Sequence, residues 1–260
     1  MQNVTKKSIN PFLKTIAGVE LWRGPSAFDG EEIVVIATFR TENIKTGELI
    51  QIWMLGADSR PTAAMVNGKE KTVCGSCPLQ HGSSGGNSLC YVNRCTANKV
   101  YDTWKTGGYP KYNRGQHLHL FSGRHIRLGA YGDPAMVPLS LFKPLLAVAS
   151  GWTGYTHQWR LGFAQEYRTF VMASTESEKS YWEAKQAGWR SFRIRRPDEP
   201  TLPQERVCPA SEEGGFRVQC NRCMACHGAR TEGRADLSVL AHGGLFTPER
   251  FTQLSIAGKF

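Results

Sequence analysis

Eight cysteines fall into two sets, Cys74-x2-Cys77-x12-Cys90-x4-Cys95 and Cys208-x11-Cys220-x2-Cys223-x2-Cys226. A two-residue gap lets both sulfurs of one turn converge on a single ion or cluster, whereas cysteines scattered through a core have no reason to bunch. The first residues, Met1 to Lys7, lack the apolar run of an export signal, and no stretch approaches the ~18 uninterrupted apolar residues that span a bilayer. The expected setting is the cytoplasm, with no membrane partner. Thiols stay reduced there, so metal centres and not disulfides are the expected use of these cysteines.

In the second set Cys220, Cys223 and Cys226 put three thiolates on consecutive turns, a spacing common for iron–sulfur clusters, and Cys208 before Pro209 can supply the fourth ligand. Four sulfurs close a site, which suits a structural or electron-transfer role. A [4Fe–4S] cluster and a zinc ion both answer that description. Ferredoxin runs carry proline after the last cysteine, where this chain has His227 and Gly228. In the first set Cys74, Cys77 and Cys90 are the stronger candidates, and Cys95 is either a fourth ligand or a bystander. Three ligands would leave one iron of a [4Fe–4S] cluster open to a small molecule. Four would close the site and suit a zinc knuckle.

Other chemistry-bearing residues follow runs that read as strands. Gly132 and Asp133 come after 125–130, Thr156 and His157 end 152–156, Ser174 to Glu176 follow 168–173, and His242 ends 237–242. In βα architectures the strand-to-helix loops collect on one face, so four loops bring Asp133, His157, Glu176 and His242 around one mouth. Asp133, His157 and Glu176 are the candidate catalytic residues; Gly132, Asp133 and Thr156 are the candidate cofactor-binding residues. Each has a plain structural reading as well: Asp133 as a turn or helix cap before Pro134, His157 as a buried histidine, Ser174 to Glu176 as a helix start, His242 as a surface turn. Their convergence is what argues for a site.

The elements that must position these residues read as alternating strand and helix. Residues 1–30 have no clear period and read as an irregular lead-in, with a short helix around Pro11 to Ala17. The β-rich runs 32–39 and 49–55 flank a turn containing Gly47 and read as a hairpin. A helix from Tyr91 to Lys105 follows the first cysteine loop. Strands at 125–130, 152–156, 168–173, 191–195 and 237–242 then alternate with helices at 139–149 and 176–187. The second of these has Thr175 and Glu178 at capping-box spacing and Gly188 as a stop. The fold class is α/β, with parallel pairing and right-handed crossovers in an open sheet or a full or partial barrel. Residues 1–70 form a hairpin region packed on a (β/α) core at 71–260, whose cysteine loops span 74–95 and 208–226.

With 260 residues, 40% apolar and 21% charged, the chain supports a packed core and is neither disordered nor fibrous. Its net charge of +10 favours polyanions at long range. Between Arg94 and Arg127 seven basic side chains stand against Asp102 alone, interleaved with Tyr101, Trp104, Tyr109, Tyr112 and Phe121. Cations for phosphates and flat rings for bases are what a nucleic-acid surface needs. A solvated basic loop region is the plain alternative.

These motifs in this order resemble a cysteine-rich group of phage and prophage proteins related to the radical-SAM enzymes. The elements that carry the resemblance are the Cys74-x2-Cys77 loop with Cys90 and Tyr91, the strand entering Gly132 and Asp133, the strand end Tyr155 to His157, the run Met172 to Ser174, and Cys208 with the Cys220-x2-Cys223-x2-Cys226 run. It covers roughly residues 70–245. The resemblance implies a partial (β/α) barrel, a [4Fe–4S] cluster held by Cys74, Cys77 and Cys90, and S-adenosylmethionine on its open iron. It also implies a second cluster at the C-terminal cysteines and an external reductant. Radical-SAM enzymes space their cysteines Cys-x3-Cys-x2-Cys, whereas twelve residues separate Cys77 from Cys90 here, and Gly132-Asp133 is the nearest counterpart of their Gly-Gly-Glu motif.

Two functions are compatible with these residues. In the first, the chain is a radical-SAM-type enzyme acting on a nucleotide or nucleic-acid-related substrate. Asp133, His157 and Glu176 would position cofactor or substrate, and Arg193, Arg195 and Arg196 would be available to an anionic group. In the second, it is a non-catalytic zinc-binding phage protein that holds nucleic acid through its basic aromatic surface. A phage-encoded chain would work in the host cytoplasm. A metal-independent hydrolase built on His157 and Asp133 leaves the cysteine spacing unexplained.

Overall fold

Continuous apolar runs build a sheet covered on both faces. In the computed structural model, which describes residues 16–41, 43–81, 89–229, 234–242 and 248–256, β1 (Gly18–Pro25), β2 (Glu32–Thr38) and β3 (Ile50–Gly56) pair antiparallel. Residues 33–38 of β2 and 50–55 of β3 are all buried. From β3 onward the pairing turns parallel through β4 (His125–Tyr131), β5 (Gly151–Thr156), β6 (Met172–Thr175), β7 (Ser191–Arg195) and, beyond β8 (Glu205–Val207), β9 (Asp236–Leu240). The order across the sheet is β1-β2-β3-β4-β5-β6-β7-β9-β8, so it is an open, mostly parallel α/β sheet with β1 and β8 at its edges.

The connections supply α1 (Pro61–Val66), α2 (Lys71–Cys74), α3 (Arg94–Lys105), α4 (Arg114–His117), α5 (Leu139–Val148), α6 (Glu178–Gln186) and α7 (Cys220–Cys223), and α8 (Pro248–Ile256) closes the described chain. Among the described residues, no helix is long and apolar enough to cross a membrane.

Several boundaries depart from the sequence expectation for local reasons. α3 begins at Arg94 and not Tyr91, because Asn93 Oδ1 accepts the backbone N–H groups of Cys95 and Thr96 and so caps the helix there. α6 is capped by Ser177 in a reciprocal box with Ser180, and Thr175 stays in β6 with its hydroxyl 2.8 Å from Ser191 Oγ. The strand expected at 168–173 is displaced: Gly162–Thr169 winds into a 3-10 helix and the strand is Met172–Thr175. The lead-in contains β1, and most of the helix read at Pro11 to Ala17 lies outside the described residues.

Two apolar clusters form the core. The larger takes in β1 to β5 and the helices beside them, including Tyr101, Trp104, Tyr109 and Phe121. Those four rings of the basic stretch are therefore buried and not open to bases, a correction to the reading of 94–127 as an aromatic nucleic-acid surface. The smaller cluster gathers Met172, Phe192, Ile194, Leu237 and Val239 with Cys77, Cys208 and Cys226, and with Cys74 and Cys220 at its edge. Cysteines far apart in sequence thus pack into one interior region.

Candidate functional site

Because β3, β4, β5 and β6 run parallel, their C-terminal ends open on one side, and the following loops carry Cys74 and Cys77, Asp133, His157 and Glu176 towards it. Asp133 N donates to Val73 O at 2.7 Å, which ties the end of β4 to α2. Asp133 Oδ2 accepts His157 N at 2.8 Å and its Oδ1 accepts Ala135 N at 3.0 Å. His157 Nε2 lies 2.8 Å from Glu176 Oε1 without hydrogen-bond alignment, and the Cys77 sulfur is near enough to act on the His157 charge. Asp133, His157, Glu176 and the first cysteine turn are thereby one connected set.

Burial opposes a charge on His157, but the Cys77 sulfur and the Glu176 carboxylate outweigh it and raise the pKa well above the ordinary histidine value. Burial also raises the Asp133 pKa, against the pull of the N–H groups it accepts. Both Asp133 oxygens are engaged by the chain. Thr156 is fully buried and its hydroxyl accepts Gln158 N at 3.0 Å. Gly132, at φ +77°, sits where a Cβ would come within 2.8 Å of Met54 Cβ. These three residues brace the mouth, and His157 is the expected site residue that lies beside a cysteine. His242 is exposed and joins the first loop instead, its ring 5.6 Å from that of Tyr91.

Gln158, which sequence reasoning missed, binds the first cysteine turn most closely. Its Oε1 accepts Ser76 N at 3.0 Å and Ser76 Oγ at 2.9 Å, and its Nε2 donates to Cys74 O at 2.9 Å. The sole signal in the sequence was an amide following a strand end beside His157.

Cys74, Cys77 and Cys90 are neighbours whose thiols act on one another. Burial, then Glu70, Cys77 and Cys90, hold Cys74 well above the ordinary thiol range, and burial with Cys77 pushes Cys90 up to about 11. Cys95 stands apart, exposed on the first turn of α3. Residues 82–88 of this loop lie outside the described residues.

The second run enters beside β5. Gly154 N donates to Cys226 O at 2.9 Å, Cys220 N donates to Lys45 O at 3.0 Å, and Arg190 Nη1 donates to Ala225 O at 3.1 Å and His227 O at 2.6 Å. Burial raises the thiol pKa of Cys226 against the pull of Tyr155, and Cys208, Cys220 and Cys223 raise it further. Cys208 and Cys220 are raised in the same way.

Among the described residues, no group of three or more Cys, His, Asp and Glu side chains is drawn tightly enough to hold a metal ion as it stands. The donor chemistry nonetheless fits a thiophilic cation at both sets. Neighbouring sulfurs in a poorly solvated setting repel one another once ionised, and a cation turns that repulsion into ligation.

The strand arginines are committed elsewhere. Arg193 Nε is 2.8 Å from Glu205 Oε1, Arg195 pairs with Glu213, and Arg196 Nε is 3.0 Å from Asp198 Oδ1, so internal carboxylates take the place of the expected anionic group.

Comparison with protein-family models, curated proteins and solved structures finds no match to this chain.

Proposed function

We propose that the chain is an iron–sulfur enzyme of radical-SAM type, a partial (β/α) barrel. Cys74, Cys77 and Cys90 hold a [4Fe–4S] cluster that binds S-adenosylmethionine, and Cys208, Cys220, Cys223 and Cys226 hold a second. The observation that carries this reading is the three-plus-one arrangement of the first set: three mutually interacting thiols beside His157, with Cys95 exposed on α3. Three thiolates leave an iron open, and such a cluster supplies an electron to S-adenosylmethionine that opens hydrogen-abstraction chemistry.

The chain's own residues prepare the place. Gln158 and Asp133 fasten the cysteine turn to the ends of β4 and β5, and His157 holds a proton between Cys77 and Glu176. Buried Leu79 and Leu89 on the same loop exclude water. A nucleotide or nucleic-acid-related substrate accords with the net charge of +10, and an external reductant is required.

Anaerobic purification tests the reading. A brown protein absorbing near ~400 nm, with iron and sulfide for two clusters, supports it. A colourless protein with two zinc ions overturns it in favour of a non-catalytic zinc-binding protein. Cys90→Ala is expected to lose the first centre and Cys95→Ala to keep it; loss in both variants would mean a closed, four-thiolate site.

A further inference from the structure

A groove of 630 Å3 opens where α5 ends and β5 begins, at the opposite end of β5 from His157. Gly151 lines it, and six residues of extended chain separate Gly151 from His157, about 20 Å. It is therefore a different place from the mouth and from the first cysteine set, and it borders the second set, whose Cys223 lines it.

Lys143, His227 and Arg234 line the groove, and among the described residues no Asp or Glu does. Several other cations on this chain are paired with carboxylates, as Arg60 with Asp102, Arg160 with Glu183 and Lys185 with Asp236. Lys143 and Arg234 are exposed and make no ion pair among the described residues. Unpaired positive charge around a concavity favours an anion.

The rest of the lining is not that of a simple ion site. Trp152 and Phe170, stacked with centroids 5.9 Å apart and planes at 25°, contribute apolar wall together with Leu146 and Met224. A volume of this size suits a small organic molecule, whereas an inorganic anion would leave most of it to water. The carbonyl end of α5 repels anions at close range, which leaves the phosphate to the cations and offers acceptors to sugar hydroxyls or base amino groups.

We propose that this groove binds a nucleoside phosphate, its phosphate on Lys143 and Arg234 and its base against the Trp152, Phe170 and Met224 wall. The nucleoside phosphate is either free or the end of a nucleic-acid strand.

Equilibrium dialysis of the full chain with adenosine 5′-monophosphate, an eight-nucleotide oligothymidylate and inorganic phosphate tests this. Saturable binding of the monophosphate or the oligonucleotide is expected, weakened about tenfold by each of Lys143→Glu and Arg234→Glu. Ala147→Trp fills the groove from an exposed position on α5 without removing charge, and is expected to weaken the nucleotide by about tenfold as well. Tighter binding of the oligonucleotide than of the monophosphate would identify a strand as the source, and the reverse a free nucleotide. The proposal is overturned if neither binds, if inorganic phosphate competes as well as the monophosphate, or if the charge reversals and Ala147→Trp leave affinity unchanged in folded protein.

Discussion

The carboxamide of Gln158 occupies the space that a side chain on Gly75 would need. A Cβ on Gly75 would lie 2.4 Å from Gln158 Oε1, and Gly75 has φ +55°, a conformation that L side chains rarely adopt. The turn between Cys74 and Cys77 is therefore shaped around an amide from the end of β5, and that fit holds the two sulfurs in register with His157.

Gly75→Ala combines backbone strain with displacement of Gln158. A loss of about 1–3 kcal/mol in denaturant unfolding is expected, with metal lost from the first cysteine set and retained at the second. Equal loss from both sets would show a global effect and remove the specific role of this contact.

Arg94 and Glu70 form a buried pair behind the same loop, Nε to Oε1 at 2.8 Å with side chains 8% and 3% exposed. Glu70→Ala removes the carboxylate that faces the buried guanidinium and is expected to cost about 3–5 kcal/mol. Glu70→Leu with Arg94→Met should recover most of that cost in thermal or denaturant unfolding. A double variant as unstable as the single would mean that the pair does more than offset its own desolvation.

Asp133→Asn tests the coupling of the mouth to the cysteine loop. The amide loses an acceptor for His157 N, a change worth about 1–3 kcal/mol at a buried site. The iron content expected of the unaltered chain should persist while S-adenosylmethionine binds about tenfold more weakly by calorimetry. Unchanged affinity would confine Asp133 to bracing the strand ends.

The thiols predict how metal uptake depends on pH. Burial holds Cys74, Cys90, Cys208, Cys220 and Cys226 above the ordinary thiol range, so in the metal-free chain they are neutral at pH 7. Ligation needs thiolates, so uptake releases protons and strengthens as pH rises, by about tenfold per pH unit for each proton released. Zinc competition against a chromophoric chelator, from pH 6.5 to 8 under anaerobic conditions, measures the slope. A flat profile would mean that the thiols are already ionised.

Much of the architecture was legible in the residues alone. The apolar runs in β2 and β3, the alternation in β4 and the glycine after α6 specify local structure, because strand patterning and helix stops are carried by neighbours in the chain. The bunching of eight cysteines into two sets is likewise a property of spacing. What the tertiary structure decided is non-local. Asn93 ends the ambiguity over where α3 begins, and with it Cys95 turns outward from Cys74, Cys77 and Cys90. Four of the five rings between Arg94 and Arg127 go into the core, Tyr109 against Gly18 of β1 and Phe121 against Phe39. Gln158 carries no local signature, since its partners at Ser76 and Cys74 are more than eighty residues away. Spacing along a chain sets which groups can share a turn; only packing sets which turns meet.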